Sequence, residues 1–171
     1  YFIYQGDFMQ QLLDFINTMP ETVKNKTIKK FIAPGESIVA KGCDVIHLYI
    51  LINGIANVSN EFMDGHRYTF AQFGPPSFIG EVEVLAEQPV YAATVQAVTV
   101  CTILSMDIAT FWHWIKDNPA LSLLMAQLVA QKMYPTSNNN GIIKFMSGRQ
   151  KIIFYLLEQY MQQDEDYFLL S

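Results

Sequence analysis

Between Lys26 and Met106 the chain alternates short β-branched and aromatic runs with turn residues, and no other feature limits the fold as much. The runs are Thr27–Ile32, Ser37–Ala40, His47–Ile52, Ile55–Val58, Arg67–Phe73, Ala92–Ala97 and Thr99–Ser105. Between them stand Pro34-Gly35, Lys41-Gly42, Asn53-Gly54, Asp64-Gly65 and Gly74-Pro75-Pro76. Short strands separated by glycine turns predict a small all-β sandwich or barrel. Asn53-Gly54 and Asp64-Gly65 are hairpin signals, because both residue pairs tolerate positive φ.

The period changes on either side. From Tyr4 to Thr18, Phe8, Leu12, Phe15 and Ile16 fall on one face at helical spacing, and Pro20 ends the element. After Ser105, Asp107 is a suitable N-cap for a short helix carrying Phe111, Trp112 and Ile115. Only one of Trp112 and Trp114 can face inward on that helix. Asn118-Pro119 opens a longer helix whose apolar stripe is Leu121, Leu124, Met125, Leu128 and Val129. Pro135 is expected to kink or end it, and Asn138-Asn139-Asn140-Gly141 reads as polar and flexible. Ser147-x-x-Gln150 is a capping box before Ile152, Ile153, Leu156 and Leu157.

A chain of 171 residues, half of them apolar, supports one full domain with a core plus part of another. No apolar run reaches the roughly 18 residues that span a bilayer. The start, Tyr1-Phe2-Ile3-Tyr4, lacks the basic region and cleavage site of a secretory signal. Cys43 and Cys101 are far apart and show no metal or disulfide pattern, so two buried, reduced thiols in a cytoplasmic protein are expected. His47, His66 and His113 have no metal spacing, and the H-x-H pattern expected of a cupin enzyme is missing. The net charge of −5 argues against a DNA-contacting surface within this stretch.

Several motifs together resemble regulators of the Crp/Fnr (catabolite activator) family. Pro34-Gly35-Glu36-Ser37-Ile38 and Gly42 resemble the family's opening hairpin, and Leu48 to Gly54 the strand and turn that follow. Phe73-Gly74-Pro75 and Phe78-Ile79-Gly80-Glu81 resemble the entrance to its phosphate-binding cassette. Asn118-Pro119 and the stripe after it are similar to its dimerisation helix, and Ser147 to Tyr160 to the first helix of its winged helix-turn-helix domain.

The resemblance implies an α+β fold, a double-stranded β-helix (a jelly-roll-like β-roll) with flanking helices and a long dimerisation helix. It implies a cyclic-nucleotide-binding-like domain over 1–117, a dimerisation helix and hinge over 118–146, and the start of a DNA-binding domain over 147–171. The implied protein is a homodimeric transcriptional regulator, not an enzyme, that meets DNA through the domain begun here. The effector pocket is expected at Gly80, Glu81, Val82, Tyr91 and Ala92, with Thr136 and Ser137 matching the pair that meets the adenine in the catabolite activator. Regulators of the same fold without a small-molecule effector, and a binding module joined to a different output domain, are the alternatives.

One position departs from the family. Its cassette uses a glutamate for the ribose hydroxyl, here Glu81, and an arginine for the phosphate. Counting from Glu81, the arginine's position is Tyr91 and its hydroxyl neighbour's is Ala92. A buried anion without its cation costs on the order of 3–5 kcal/mol, roughly a 100- to 1,000-fold or larger loss in affinity. A neutral hydrogen bond from Tyr91 recovers about 1 kcal/mol. Arg67 or Lys132 would have to reach in from elsewhere. The expectation is therefore no cyclic-nucleotide cofactor, and at most an unidentified small-molecule effector.

Overall fold

The computed structural model describes residues 3–61, 67–144, 147–150, 152, 153 and 156. The chain divides into two compact units, Tyr1–Ala126 and Gln127–Ser171.

The first unit opens with helix α1 (Ile3–Asn17), within a residue of the span its periodicity predicts, and the short helix α2 (Glu21–Lys24). Phe8 and Leu12 on α1 are buried, as is Val23 on α2. The strands are β1 (Ile28–Ile32), β2 (Ser37–Val39), β3 (His47–Asn53), β4 (Ala56–Glu61), β5 (Arg67–Phe73), β6 (Ser77–Ile79), β7 (Thr94–Ala97) and β8 (Cys101–Asp107). They form two four-stranded antiparallel sheets, ordered β1-β8-β3-β6 and β2-β7-β4-β5. This is the jelly-roll arrangement that the glycine-punctuated runs imply.

Period-two alternation assigns the side chains to faces. Ile38, Val39, Leu51, Ala56, Ile79, Val95, Ala97, Cys101 and Ile103 pack between the sheets. On the opposite face of the first sheet Leu48, Ile50, Phe78 and Met106 are fully buried. Helix α4 (Ile108–Lys116) packs on β3 and β8 there. Strand β3 is apolar on both faces because that sheet is covered on both. Burying each such aliphatic side chain contributes about 1.5–3 kcal/mol.

The predicted cap of α4 is present. Asp107 Oδ1 accepts from the Thr110 amide at 2.7 Å, and its Oδ2 from the Thr110 hydroxyl at 2.9 Å. Of the two tryptophans, Trp114 is the buried one. The Asn53-Gly54 turn lies between β3 and β4, but these strands belong to different sheets, so it carries the chain from one sheet to the other and is not the hairpin its residues suggest. Gly54 has φ +97, and a Cβ there would stand 2.5 Å from the Val100 carbonyl oxygen. The Asp64-Gly65 turn and His66 lie outside the described residues.

Further expectations change. Strand β6 and helix α2, three and four residues long, are too short for a period to show in the sequence. Helix α5 (Pro119–Lys144) runs through Pro135 and on through Asn138 to Gly141. Pro135 deletes one ladder bond at a cost of about 3 kcal/mol. A helix already nucleated over four turns gains a bond for each residue it adds. Cys101 is buried as expected, but Cys43 is exposed, because it lies in the turn after Gly42 rather than on a strand; both are free thiols.

In the second unit Gln150 Oε1 accepts from the Ser147 amide at 2.9 Å, which completes the reach-back half of the capping box. Ile152, Ile153 and Leu156 after it are exposed, and Leu157 lies outside the described residues.

Candidate functional site

The cassette begins where β6 ends. Gly80 has φ +88, a left-handed conformation that favours glycine, and it caps helix α3 (Glu81–Leu85). Glu81 is buried, with 2% of its surface exposed, whereas Val82 beside it is exposed. The segment from Ala86 to Ala93 then returns toward β7.

Two sets of hydrogen bonds pin that returning segment. The Gly42 amide donates to the Tyr91 carbonyl at 2.8 Å, the Tyr91 amide to the Cys43 carbonyl at 2.9 Å, and the Val45 amide to the Pro89 carbonyl at 2.9 Å. Asp44 and Val90 form a bridge within this ladder. From the α3 side, Glu83 Oε1 accepts from the Ala92 amide at 3.0 Å.

Tyr91 turns into the protein interior. Its side chain is 4% exposed and belongs to the cluster between the two sheets. Its hydroxyl donates to the His47 carbonyl oxygen at 2.6 Å. Its ring lies so close to Gly80 that a Cβ on that glycine would stand 3.0 Å from Tyr91 Cε1. Burial raises the Tyr91 phenol well above the ordinary range, reinforced by the neighbouring Tyr49 phenol. Burial likewise raises Tyr49, opposed by its hydrogen bond with Tyr91. Both hydroxyls are therefore neutral donors at physiological pH, and neither supplies a counter-charge for an anion.

Of the expected site residues, Gly80, Glu81 and Tyr91 come together as the interior of the cassette. Val82 and Ala92 are exposed at its rim. Thr136 and Ser137 lie on α5, in the second unit, and their side chains are outside the described set. Arg67 is engaged elsewhere, its Nη1 donating to Gln96 Oε1 at 2.9 Å.

The sequence reading missed His47 and Tyr49 as cassette neighbours. His47 contributes a backbone carbonyl, which leaves no mark on residue type. Tyr49 could have been found, since period two places it on the same face of β3 as Leu51.

Along α5, Leu121, Leu124, Met125 and Leu128 are already buried within the single chain. Val129 is half-buried, while Leu123, Ala126, Ala130, Met133 and Tyr134 are exposed. A surface concavity of about 380 Å³ is lined by Thr22, Lys26, Asp107, Ala109, Thr110 and His113, none of them cassette residues. Among the described residues no cluster of His, Cys, Asp and Glu is arranged to hold a metal. None of their helices is long and apolar enough to cross a membrane.

The chain is 25% identical over 124 residues to a CRP-like cAMP-activated global transcriptional regulator of Mycobacterium tuberculosis, covering 72% of this chain and 55% of that one. It is 23% identical over 128 residues to the cAMP-activated global transcriptional regulator CRP of Salmonella typhimurium, covering 75% and 61%. The chain thus spans little more than half the length of these curated relatives, which are transcriptional regulators and not enzymes. Among solved structures, the Thermus thermophilus catabolite activator protein superposes with a TM-score of 0.65 at 20% identity, covering 86% of this chain and 70% of that one. The c-di-GMP responsive global regulator CLP of Xanthomonas campestris gives 0.70 at 15%, covering 78% and 67%. These two likenesses establish the fold. The sequence profile of the cyclic nucleotide-binding domain matches residues 29–118, the span from β1 to the start of α5, and the chain belongs to that family, beside its CRP-like regulators.

Proposed function

We propose that this chain is the sensory and dimerisation part of a Crp/Fnr-type transcriptional regulator, a cytoplasmic homodimer whose cassette does not take a cyclic nucleotide. One observation carries the second half. At the position where the family keeps its phosphate arginine, Tyr91 is buried on Gly80 and bonded to the His47 carbonyl. A phosphodiester there would meet a neutral ring instead of a cation, and an effector acting in this cassette would carry no such charge.

The first half rests on the family and on the regulators that share it. Dimerisation through α5 has a specific seam to use. The stripe Leu121, Leu124, Met125 and Leu128 is buried within one chain, so the apolar residues left for a second copy include Leu123, Ala126, Ala130 and Met133. Their spacing of three, four and three residues follows one helix face. Two small alanines at its centre would let a partner helix approach closely.

A change in the packing of two such helices would reorient two DNA-binding domains on a palindromic operator. The test is a gel-shift titration of the regulator encoded with its downstream domain, against genomic fragments of its own promoter region. Sequence-specific binding that is the same with and without millimolar cyclic AMP supports the proposal. Binding that requires cyclic AMP, or no specific binding at any salt concentration, contradicts it.

A further inference from the structure

Several groups around the cassette are answered by this chain itself. The ring of Tyr91 covers Gly80, and its hydroxyl satisfies the His47 carbonyl. The Glu83 carboxylate takes the Ala92 amide that opens the next segment. Backbone bonds then tie Tyr91 and Pro89 to the strand-like turn at Gly42, Cys43 and Val45.

We propose that Tyr91 is a built-in occupant of the cassette, a latch that holds the segment 86–93 closed without a ligand, and that the molecules able to replace it are small para-substituted phenols. The inference rests on the preceding reading that no cyclic nucleotide enters, and extends it to the state of the sensor. An ordinary ligand stabilises its bound state by mass action, by an amount that grows with the logarithm of its concentration over its dissociation constant. An occupant carried on the chain has a fixed effective concentration instead. The closed arrangement is then populated irrespective of solution composition, and a sensor built this way is set rather than switched. The replacing chemistry follows from the contacts. A flat apolar ring is needed against Gly80 and between the sheets, with one neutral hydroxyl donor aimed at the His47 carbonyl.

Hydrogen exchange at the Gly42 and Val45 amides reads the latch directly, because these amides bond to the segment that Tyr91 anchors. In the wild-type chain their protection should be unchanged by millimolar cyclic AMP or p-cresol. In Tyr91→Ala both amides should exchange about tenfold faster or more, through local opening. Added p-cresol should restore protection in a saturable way, and toluene, which lacks the hydroxyl, should restore less. Tyr91→Phe keeps the ring and loses only the donor. It should exchange about fivefold faster than wild type, and it tests the latch should the alanine variant not fold.

Wild-type protection at Gly42 and Val45 in either folded variant, or p-cresol without effect on Tyr91→Ala, would overturn the latch alone. Cyclic AMP that increases wild-type protection at these amides would overturn both the latch and the reading beneath it.

Discussion

The hydroxyl of Tyr91 donates to the backbone carbonyl of His47 at 2.6 Å, across 44 residues of sequence. It joins the cassette to the first residue of β3. Tyr91→Phe should cost about 1–2 kcal/mol, because the carbonyl loses a donor in a water-poor setting. Denaturant titration reads this as a lower midpoint at unchanged slope. The phenol is also raised by burial, so its stability contribution is complete below the unfolded value of about 10 and fades as pH rises beyond it. Tyr91→Phe should therefore narrow its stability deficit relative to wild type above pH 10.

Gly54 and Gly35 both have positive φ, at +97 and +86, but different surroundings. At Gly35 an added Cβ meets nothing within 4 Å, whereas at Gly54 it stands 2.5 Å from the Val100 carbonyl oxygen and 2.8 Å from Cys101. Gly35→Ala should cost about 1–2 kcal/mol from backbone strain alone. Gly54→Ala should cost clearly more, since backbone must shift as well. Thermal unfolding of the two variants gives the comparison.

Asp107 caps α4 through the Thr110 amide, and that bond, ahead of its other causes, lowers the carboxyl below its ordinary value. A depressed carboxyl stabilises the fold above its unfolded pKa of about 3.9 and loses that contribution as pH falls through the folded value. Asp107→Asn keeps a capping oxygen and should show a shallower loss of stability below about pH 4 than wild type. Asp107→Ala should lose about 1 kcal/mol at neutral pH. Denaturant midpoints from pH 3 to pH 7 test both.

Leu123 is 62% exposed on α5 while Leu121 beside it is fully buried. If two copies meet along Leu123, Ala126, Ala130 and Met133, Ala126→Glu should convert a dimer into a folded monomer. Sedimentation at micromolar concentration should show a dimer for wild type. Leu121→Ala should instead leave association intact and lower stability by about 2–5 kcal/mol, as a core truncation does.

Much of this was legible in the chain, for identifiable reasons. The strands were visible because Leu48-Tyr49-Ile50-Leu51 and its counterparts keep apolar runs rich in β-branched or aromatic residues between glycine turns, and the cap at Asp107 because its oxygen acts on the next turn. Strand β6 was hidden because three residues carry no period, and Pro135 misled because a local signal does not weigh the helix already formed before it. In the cassette, residue count showed that Tyr91 stands where an arginine would. Where its ring goes could not be read, since that depends on the missing Cβ of Gly80 and the carbonyl of His47. Neither backbone feature announces itself in the identity of the residue at position 91.

The central claim is that Tyr91 occupies the cassette in place of a charged partner for phosphate. Isothermal titration of this chain with cyclic AMP tests it most directly. The account predicts no saturable heat at micromolar concentrations of protein and nucleotide; a dissociation constant in the micromolar range or tighter would contradict it.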